Sequence, residues 1–163
     1  MIGTSKDIKY PGLNILPPGV ERHIVNGGGL TGFQIFPDDE IEIINNEGNQ
    51  ICEIISFDKD GNSDVGILNL KSNNEKNFIR NILSGNDETI LATNYQLKKR
   101  NLKISNSKSS IIFDLDTEPG EKIKLKSKDK CYVIFSAPGK DMDVTEQNPP
   151  TDLTIFVKRA KIV

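Results

Sequence analysis

The sequence predicts an all-β fold, a two-layer sandwich or barrel of about ten short strands with one short helix. Apolar and polar residues alternate in many short runs, which is typical of strands because successive side chains face opposite sides of a sheet. Turn residues separate these runs, and two similar segments stand far apart in the chain. The 163 residues are enough for one β domain, 1–163, with a core of its own.

The two similar segments cover residues 36–57 and 118–136. In each, a turn with Pro and an acidic residue precedes an alternating strand, and a polar turn follows. The next strand carries a cysteine, Cys52 or Cys131, and soon reaches a serine. We expect each segment to form a β-hairpin and the two hairpins to form a pseudo-repeat.

The chain begins with residues 1–19, an extended lead-in in which Pro-Gly turns disfavour helix. Strands are predicted for 20–25 and 30–36, joined by the glycine-rich stretch 26–29. This stretch fits a turn or bulge better than a phosphate loop, because neither a lysine nor a helix follows the glycines.

Residues 58–64 follow the first hairpin and resemble the start of a calcium loop, with Asp58, Asp60 and Asn62 at alternate positions. The glycine stands at the wrong place, and after residue 64 no acidic residue follows until Glu75. We therefore interpret this stretch as an ordinary acidic loop.

The helix is predicted over 73–83, where apolar residues recur at three- and four-residue spacing and Asn74 is placed to cap it. Residues 89–93 are compatible with a strand or a second helical turn. The basic cluster 98–103 fits a solvated strand edge better than a docking site for an anion.

The last third of the chain continues the β pattern. Residues 109–115 form an apolar strand, a loop rich in Pro, Gly and acidic residues spans 137–150, and a strand over 151–160 closes the fold.

Composition excludes several classes of partner. The net charge of −2, the pI of about 5.5 and the absence of Trp argue against nucleic acid and anionic membranes. No apolar run is long enough to span a membrane, and the first residues lack the apolar core of a secretory signal. We therefore expect a cytoplasmic protein with reduced cysteines.

The groups able to carry chemistry are few. His23 is the only histidine, and a lone histidine is more often structural than catalytic. Cys52 and Cys131 stand in strand-like surroundings, so small buried hydrophobic residues are the first interpretation. The alternative is a divalent metal site with Cys52, Cys131 and His23 as ligands, completed by a carboxylate such as Glu53. No other cofactor is indicated.

Glu53 is the acid with the clearest catalytic alternative. In a strand, Gln50 and Cys52 share one face and Glu53 points to the other. If Glu53 faces the interior, burial would raise its pKa and make it a candidate general base; at the surface it would have no role. Asp152, before the last strand, is a second acid of interest, although it could simply cap a turn.

Two sets of motifs carry a family resemblance. Residues 48–53, Gly-Asn-Gln-Ile-Cys-Glu, are similar to a Gly-x-Gln-x-x-Asp motif. Residues 119–123, 133–136 and 149–153 are similar to a Pro-Gly-Asp strand, an apolar strand ending in Ser, and a last strand led by Pro-Thr-Asp. In these motifs and their order, the chain resembles the urea carboxylase-associated protein family over roughly residues 15 to 160.

The resemblance implies a small-molecule site between β-layers, lined by Gln50 and Glu53. Members of the family include the subunits of carboxyguanidine deiminase, which hydrolyse a C–N bond. The family is also similar to a region fused ahead of folate-dependent aminomethyltransferases related to the glycine cleavage T-protein. The chain departs from the family in two places. Family members usually have a His-Asp segment with a following Cys, but residues 112–117 contain no His. The family's Ser-x-Cys-Pro is replaced by Ser-Ala-Pro-Gly at 136–139, which has no Cys.

Three functions follow as hypotheses. The first is a small-molecule-binding accessory domain of amine or one-carbon nitrogen metabolism that is non-catalytic or only weakly catalytic. The second is a C–N hydrolase acting on a guanidine- or urea-like substrate, with Glu53 as base and Gln50 orienting the substrate. The third is an assembly domain of an aminomethyltransferase-like protein that docks a partner subunit, or a fused downstream domain, through a strand edge.

Overall fold

The computed structural model describes residues 16–74, 77–139 and 149–161. Within these ranges the chain forms eight strands in two four-stranded sheets, which confirms the predicted all-β sandwich with eight strands instead of about ten. Most of the predicted lead-in and most of the loop before the last strand lie outside the described residues. The strands are β1 (Val20–Val25), β2 (Leu30–Ile35), β3 (Glu40–Asn45), β4 (Cys52–Asp58), β5 (Ser110–Ile112), β6 (Glu121–Lys126), β7 (Cys131–Ser136) and β8 (Leu153–Lys158).

The strand order is β1-β8-β3-β6 in the first sheet and β2-β7-β4-β5 in the second, which is the order of an eight-stranded jelly roll. The two predicted hairpins are therefore corrected: β3 and β4 lie in different sheets, and so do β6 and β7. The strands of one segment pair with those of the other, β3 with β6 and β4 with β7, all antiparallel. Each segment begins in the first sheet and ends in the second, so what the two segments share is a strand, a turn and a strand in the opposite sheet.

Two α-helices, α1 (Phe78–Ile82) and α2 (Glu88–Lys99), join β4 to β5. The predicted helix is present but short, and its N-cap is Asn77 rather than Asn74, because the Asn77 Oδ1 accepts the N–H of Arg80 at 3.1 Å. Single 3-10 turns at Val65–Leu68 and Ile104–Asn106 flank the helical region.

Helix α2 contains residues 89–93, so the helical alternative for that segment is correct, and it ends within the basic cluster 98–103, which is therefore not a strand edge. Asp87 caps it by accepting the N–H of Ile90 at 2.9 Å, and Lys98 and Lys99 stand in its last turn, where cations suit the helix dipole. Asn101 follows with a φ of 56°, which ends the helix.

The apolar residues form two cores. One lies between the sheets and contains both cysteines with Ile41, Ile54 and Phe135 among others. The other lies between the second sheet and the helices. Among the described residues no helix covers the outer face of the first sheet, and none is long and apolar enough to cross a membrane.

Candidate functional site

A cavity of about 290 Å³ opens at one end of the sandwich, where two of the motifs from the sequence meet. Its lining consists of residues 47–51, Leu115, Pro138, Pro149 and Thr151. The first motif supplies one wall and the segment before β8 supplies the opposite wall. Aliphatic carbon therefore forms much of the lining, with a few polar groups between.

Gln50 holds this end of the molecule together. Its side chain is buried, and its Nε2 donates to the carbonyl oxygens of Pro138 and Ile51, both at 2.8 Å. Its Oε1 accepts the N–H of Thr151 at 2.9 Å, and its own carbonyl accepts the Asn45 Nδ2 at 2.7 Å. Gln50 lines the cavity, but its amide is engaged with the protein, so it positions the walls.

Two buried oxygens beside Gln50 have no hydrogen-bond partner among the described residues. They are the Thr151 Oγ1 and the Asn45 Oδ1. Buried polar atoms are nearly always paired, and unpaired ones mark sites where water or a ligand completes the bonding. Thr151 also lines the cavity, so one of these two unpaired oxygens belongs to a residue of its wall.

The turn that forms the floor depends on a glycine. Gly48 has a φ of +77°, and a Cβ at this position would lie 2.4 Å from the Thr117 carbonyl oxygen. The next residue, Asn49, is also left-handed and donates its N–H to the same oxygen at 3.0 Å. Asp152 fixes the opposite wall because its Oδ1 accepts the N–H of Gly27 at 2.8 Å, which is a turn-anchoring role.

Glu53 lies elsewhere. It points from β4 to the helix side of the second sheet, while Gln50 contributes to the cavity at the sandwich end. Its carboxylate accepts the N–H groups of Ile79 at 2.6 Å and Phe78 at 3.0 Å, the Ser109 hydroxyl at 3.0 Å, and the Asn74 amide. These bonds attach the start of α1 and the residue before β5 to the centre of the sheet.

Burial raises the pKa of Glu53, and the hydrogen bonds from Ile79, Phe78, Ser109 and Asn74 oppose that rise. Both oxygens are nevertheless occupied by protein donors, and the carboxylate is fully buried. A general base needs an oxygen within reach of a substrate proton, so this geometry suits an anchor.

The structure separates the residues of the predicted metal set. Cys131 of β7 pairs with Asp58 at the end of β4, whereas Cys52 stands six residues away at the start of β4. At about 3.3 Å per residue, the two cysteines are therefore about 20 Å apart. His23 is on β1, with its ring stacked on Phe33 at 4.1 Å between centroids. In the described parts of the chain, no group of three or more His, Cys, Asp and Glu side chains could hold a metal ion.

Both cysteines are free and buried. Burial raises the pKa of the Cys52 thiol, and the neighbouring Glu53 raises it further. Burial also raises the pKa of Cys131, whose Sγ lies 3.6 Å from the Ser127 hydroxyl. Neither thiol is poised as a thiolate nucleophile, and both pack as small apolar residues.

Three groups that the structure makes prominent do not stand out in the sequence. Thr151 appears there only within the motif 149–153 and the predicted last strand, and nothing in the sequence signals that Asn74 and Ser109 contact Glu53. Nor does the sequence signal an ion cluster in which the Arg159 guanidinium contacts Glu21 at 2.7 and 2.9 Å. The same guanidinium contacts the buried Asp39 carboxylate at 2.7 Å.

No protein-family model matches the chain. It is 31% identical over 153 residues to a trimethylamine-oxide aldolase of Ruegeria pomeroyi. The similarity covers 94% of this chain but only 19% of that enzyme, so the chain spans about a fifth of the length of the curated relative it matches.

Proposed function

We propose that the chain is a small-molecule-binding accessory domain of amine metabolism, and that its ligand occupies the cavity between Gln50 and Thr151. The observation that carries the proposal is this cavity, with an unpartnered buried hydroxyl at Thr151 and walls fixed by a locked glutamine. Its volume of about 290 Å³ suits a small metabolite.

The chemistry of the walls narrows the ligand. Leu115, Pro138, Pro149 and Ile51 give an apolar surface, and among the described residues of the lining Glu47 alone is charged. Such a site favours a neutral or cationic ligand with methyl or methylene groups and one polar atom for Thr151. Methylated amines and their N-oxides have this composition, and the name of the Ruegeria relative contains trimethylamine oxide.

The accessory role rests on the share of the relative that is matched. An enzyme five times longer contains one stretch similar to this chain, so the activity of that enzyme has room to lie in its other parts. The resemblance to the urea carboxylase-associated family supports the same role. An assembly function beside an aminomethyltransferase-like protein is compatible with it.

The C–N hydrolase hypothesis has no comparable support. Its proposed base, Glu53, bonds four protein donors on the helix side of the sheet. We therefore expect no ammonia release from guanidine or urea, and an ammonia assay with the purified protein tests this directly.

The binding proposal is tested by calorimetric titration with trimethylamine N-oxide, trimethylamine, dimethylamine, urea and guanidinium. We expect one or more of the methylated compounds to bind. Thr151→Val should weaken that binding about tenfold by removing one hydrogen bond, and Leu115→Trp should abolish it by filling the cavity.

Thr89→Val is the matched control, because Thr89 is exposed on α2 and lies outside the cavity. It should bind as the unmodified protein does. If no compound of the panel binds, or if both cavity variants bind as tightly as the control, the proposed site is wrong.

A further inference from the structure

Among the described residues, no helix covers the outer face of the first sheet. Both helices pack on the second sheet, and a groove of about 690 Å³ crosses the outer face of the first. None of the predicted site residues lines this groove, although it is larger than the cavity beside Gln50. The face is therefore a candidate for contact with another molecule.

The outward side chains form charged columns along the strands. Ile41, Ile43 and Leu125 face the core, so the residues beside them point outward. On β3 these are Glu40 and Glu42; on the neighbouring β6 they are Lys126 and Lys124, in register. The Lys124 Nζ lies 3.8 Å from the Glu42 carboxylate, so an acidic column runs beside a basic one.

A face with one acidic and one basic column side by side is complementary in charge to the same face of a second copy. A two-fold axis along the strands, midway between β3 and β6, places the acidic column of one copy over the basic column of the other. Glu40 then faces Lys126 of the second copy and Glu42 faces Lys124, each twice by symmetry, which gives two sets of four alternating charges. Packed sheets lie about 10 Å apart, a distance that a glutamate and a lysine side chain span together.

We propose that this face binds a second copy of the chain and that the two charged columns form the centre of the contact. The proposal is independent of the ligand cavity, which lies at the end of the sandwich. It also differs from docking through the free edge of β6. In antiparallel edge pairing the lysines of two β6 strands would stand opposite one another, and like charges in that position are destabilising.

The arrangement favours a protein over nucleic acid. Lysines stand on both sides of the acidic column, at Lys158 of β8 and at Lys124 and Lys126 of β6. A phosphate backbone laid across the face would meet Glu40 and Glu42 at its centre. A second copy offers cations to those acids and acids to the lysines.

The contact is small, so we expect weak association. With the axis between β3 and the edge strand β6, the overlap is centred on two strands about 4.8 Å apart and six residues of about 3.3 Å, which is roughly 10 by 20 Å. Stable interfaces bury about 800 Å² per partner, which is several times more than this overlap offers. The association should therefore be weak and should depend strongly on salt.

Sedimentation velocity of the untagged protein over a concentration series tests this. Lys124→Glu with Lys126→Glu places acids opposite acids, and Glu40→Lys with Glu42→Lys places cations opposite cations. Each double variant should be monomeric alone. Mixed one to one, they should associate about as strongly as the unmodified protein, because every reversed charge then meets its complement.

Lys98→Glu with Lys99→Glu on α2 is the control, because it makes the same change in net charge away from the face. It should dimerise as the unmodified protein does. For the unmodified protein alone, raising the salt to about 0.5 M should weaken association several-fold. The proposal is wrong if that protein is monomeric at several hundred micromolar, if the mixture stays monomeric, or if duplex DNA binds the face more tightly than a second copy.

Discussion

Replacing Glu53 by Gln is the most informative single change, because it separates an anchoring carboxylate from a catalytic one. The Oε2 accepts the Asn74 amide, the Phe78 N–H and the Ser109 hydroxyl, and the Oε1 accepts the Ile79 N–H. A glutamine keeps one acceptor and places an NH₂ group at the other. Whichever way the amide turns, at least one backbone N–H at the start of α1 faces a donor.

The cost follows from those bonds. A buried donor left without an acceptor costs about 1–3 kcal/mol, and bonds to a charged acceptor are worth more than neutral ones. We therefore expect Glu53→Gln to lower the free energy of unfolding by about 2–4 kcal/mol. For a chain of this length each kcal/mol shifts Tm by about 2–4 °C, so Tm should fall by about 5–15 °C.

The assay is urea unfolding followed by circular dichroism, with thermal unfolding as a second measurement. Glu118→Gln is the control, since Glu118 is exposed and loses the same charge. Its stability should stay within about 0.5 kcal/mol of the unmodified protein. A Glu53→Gln protein as stable as this control would refute the anchoring role and return the carboxylate to the list of candidate bases.

The remaining predictions concern packing and charge. Gly48→Ala should lower the free energy of unfolding by about 2–4 kcal/mol, because the new Cβ would meet backbone atoms. Gly120→Ala has a similar φ but nothing within 4 Å of the new Cβ, so it should cost only about 1 kcal/mol. Urea unfolding of the two variants measures the difference. Tyr132→Phe should raise Tm by a few degrees, since the buried Tyr132 hydroxyl has no partner in the described residues; a lower Tm would contradict this. Hydrogen bonds from Arg159 lower the pKa of Glu21. The pair therefore stabilises the fold fully above the ordinary carboxylate pKa, and this stabilisation is lost as the pH falls through the lowered pKa. Arg159→Gln should therefore lose less stability between about pH 5 and pH 2, as measured by unfolding at each pH.

The fold class could be predicted because alternation is a local signal. Each alternating run became a strand, and β3, for example, buries Ile41 and Ile43 while exposing Glu40. Alternation does not say which sheet a strand joins. The polar turns of both repeated segments looked like hairpin turns, yet they carry the chain across the core from one sheet to the other. That choice is made by pairing with strands about 80 residues away, which short-range patterns do not encode.

The full length of helix α2 is hard to predict for a different reason, and the sequence indicates at most a helical turn over 89–93. Its signals are present in the sequence: Asp87 as a cap, Ile90 and Leu97 on one face, and two lysines in the last turn. Its exposed face, however, carries Leu91 and Tyr95, which are 56% and 62% exposed and blur the amphipathic pattern. The basic residues at its end were then assigned to a strand edge.

The candidate site shows how much depends on the loops. Gln50 and the segment before β8 could be singled out because their motifs stand out in the sequence, and the structure joins them through one side chain. Glu53 stands in the same motif, only three residues away, but the pleat of β4 directs it to the other side of the sheet. What decides its role is a set of donors from residues 74–79 and from Ser109. Those donors come together only after the β4–β5 connection has folded over the sheet. An acidic residue inside a predicted strand can therefore be singled out from the sequence. Only the number of donors that bond its carboxylate in the folded protein distinguishes a structural anchor from a general base.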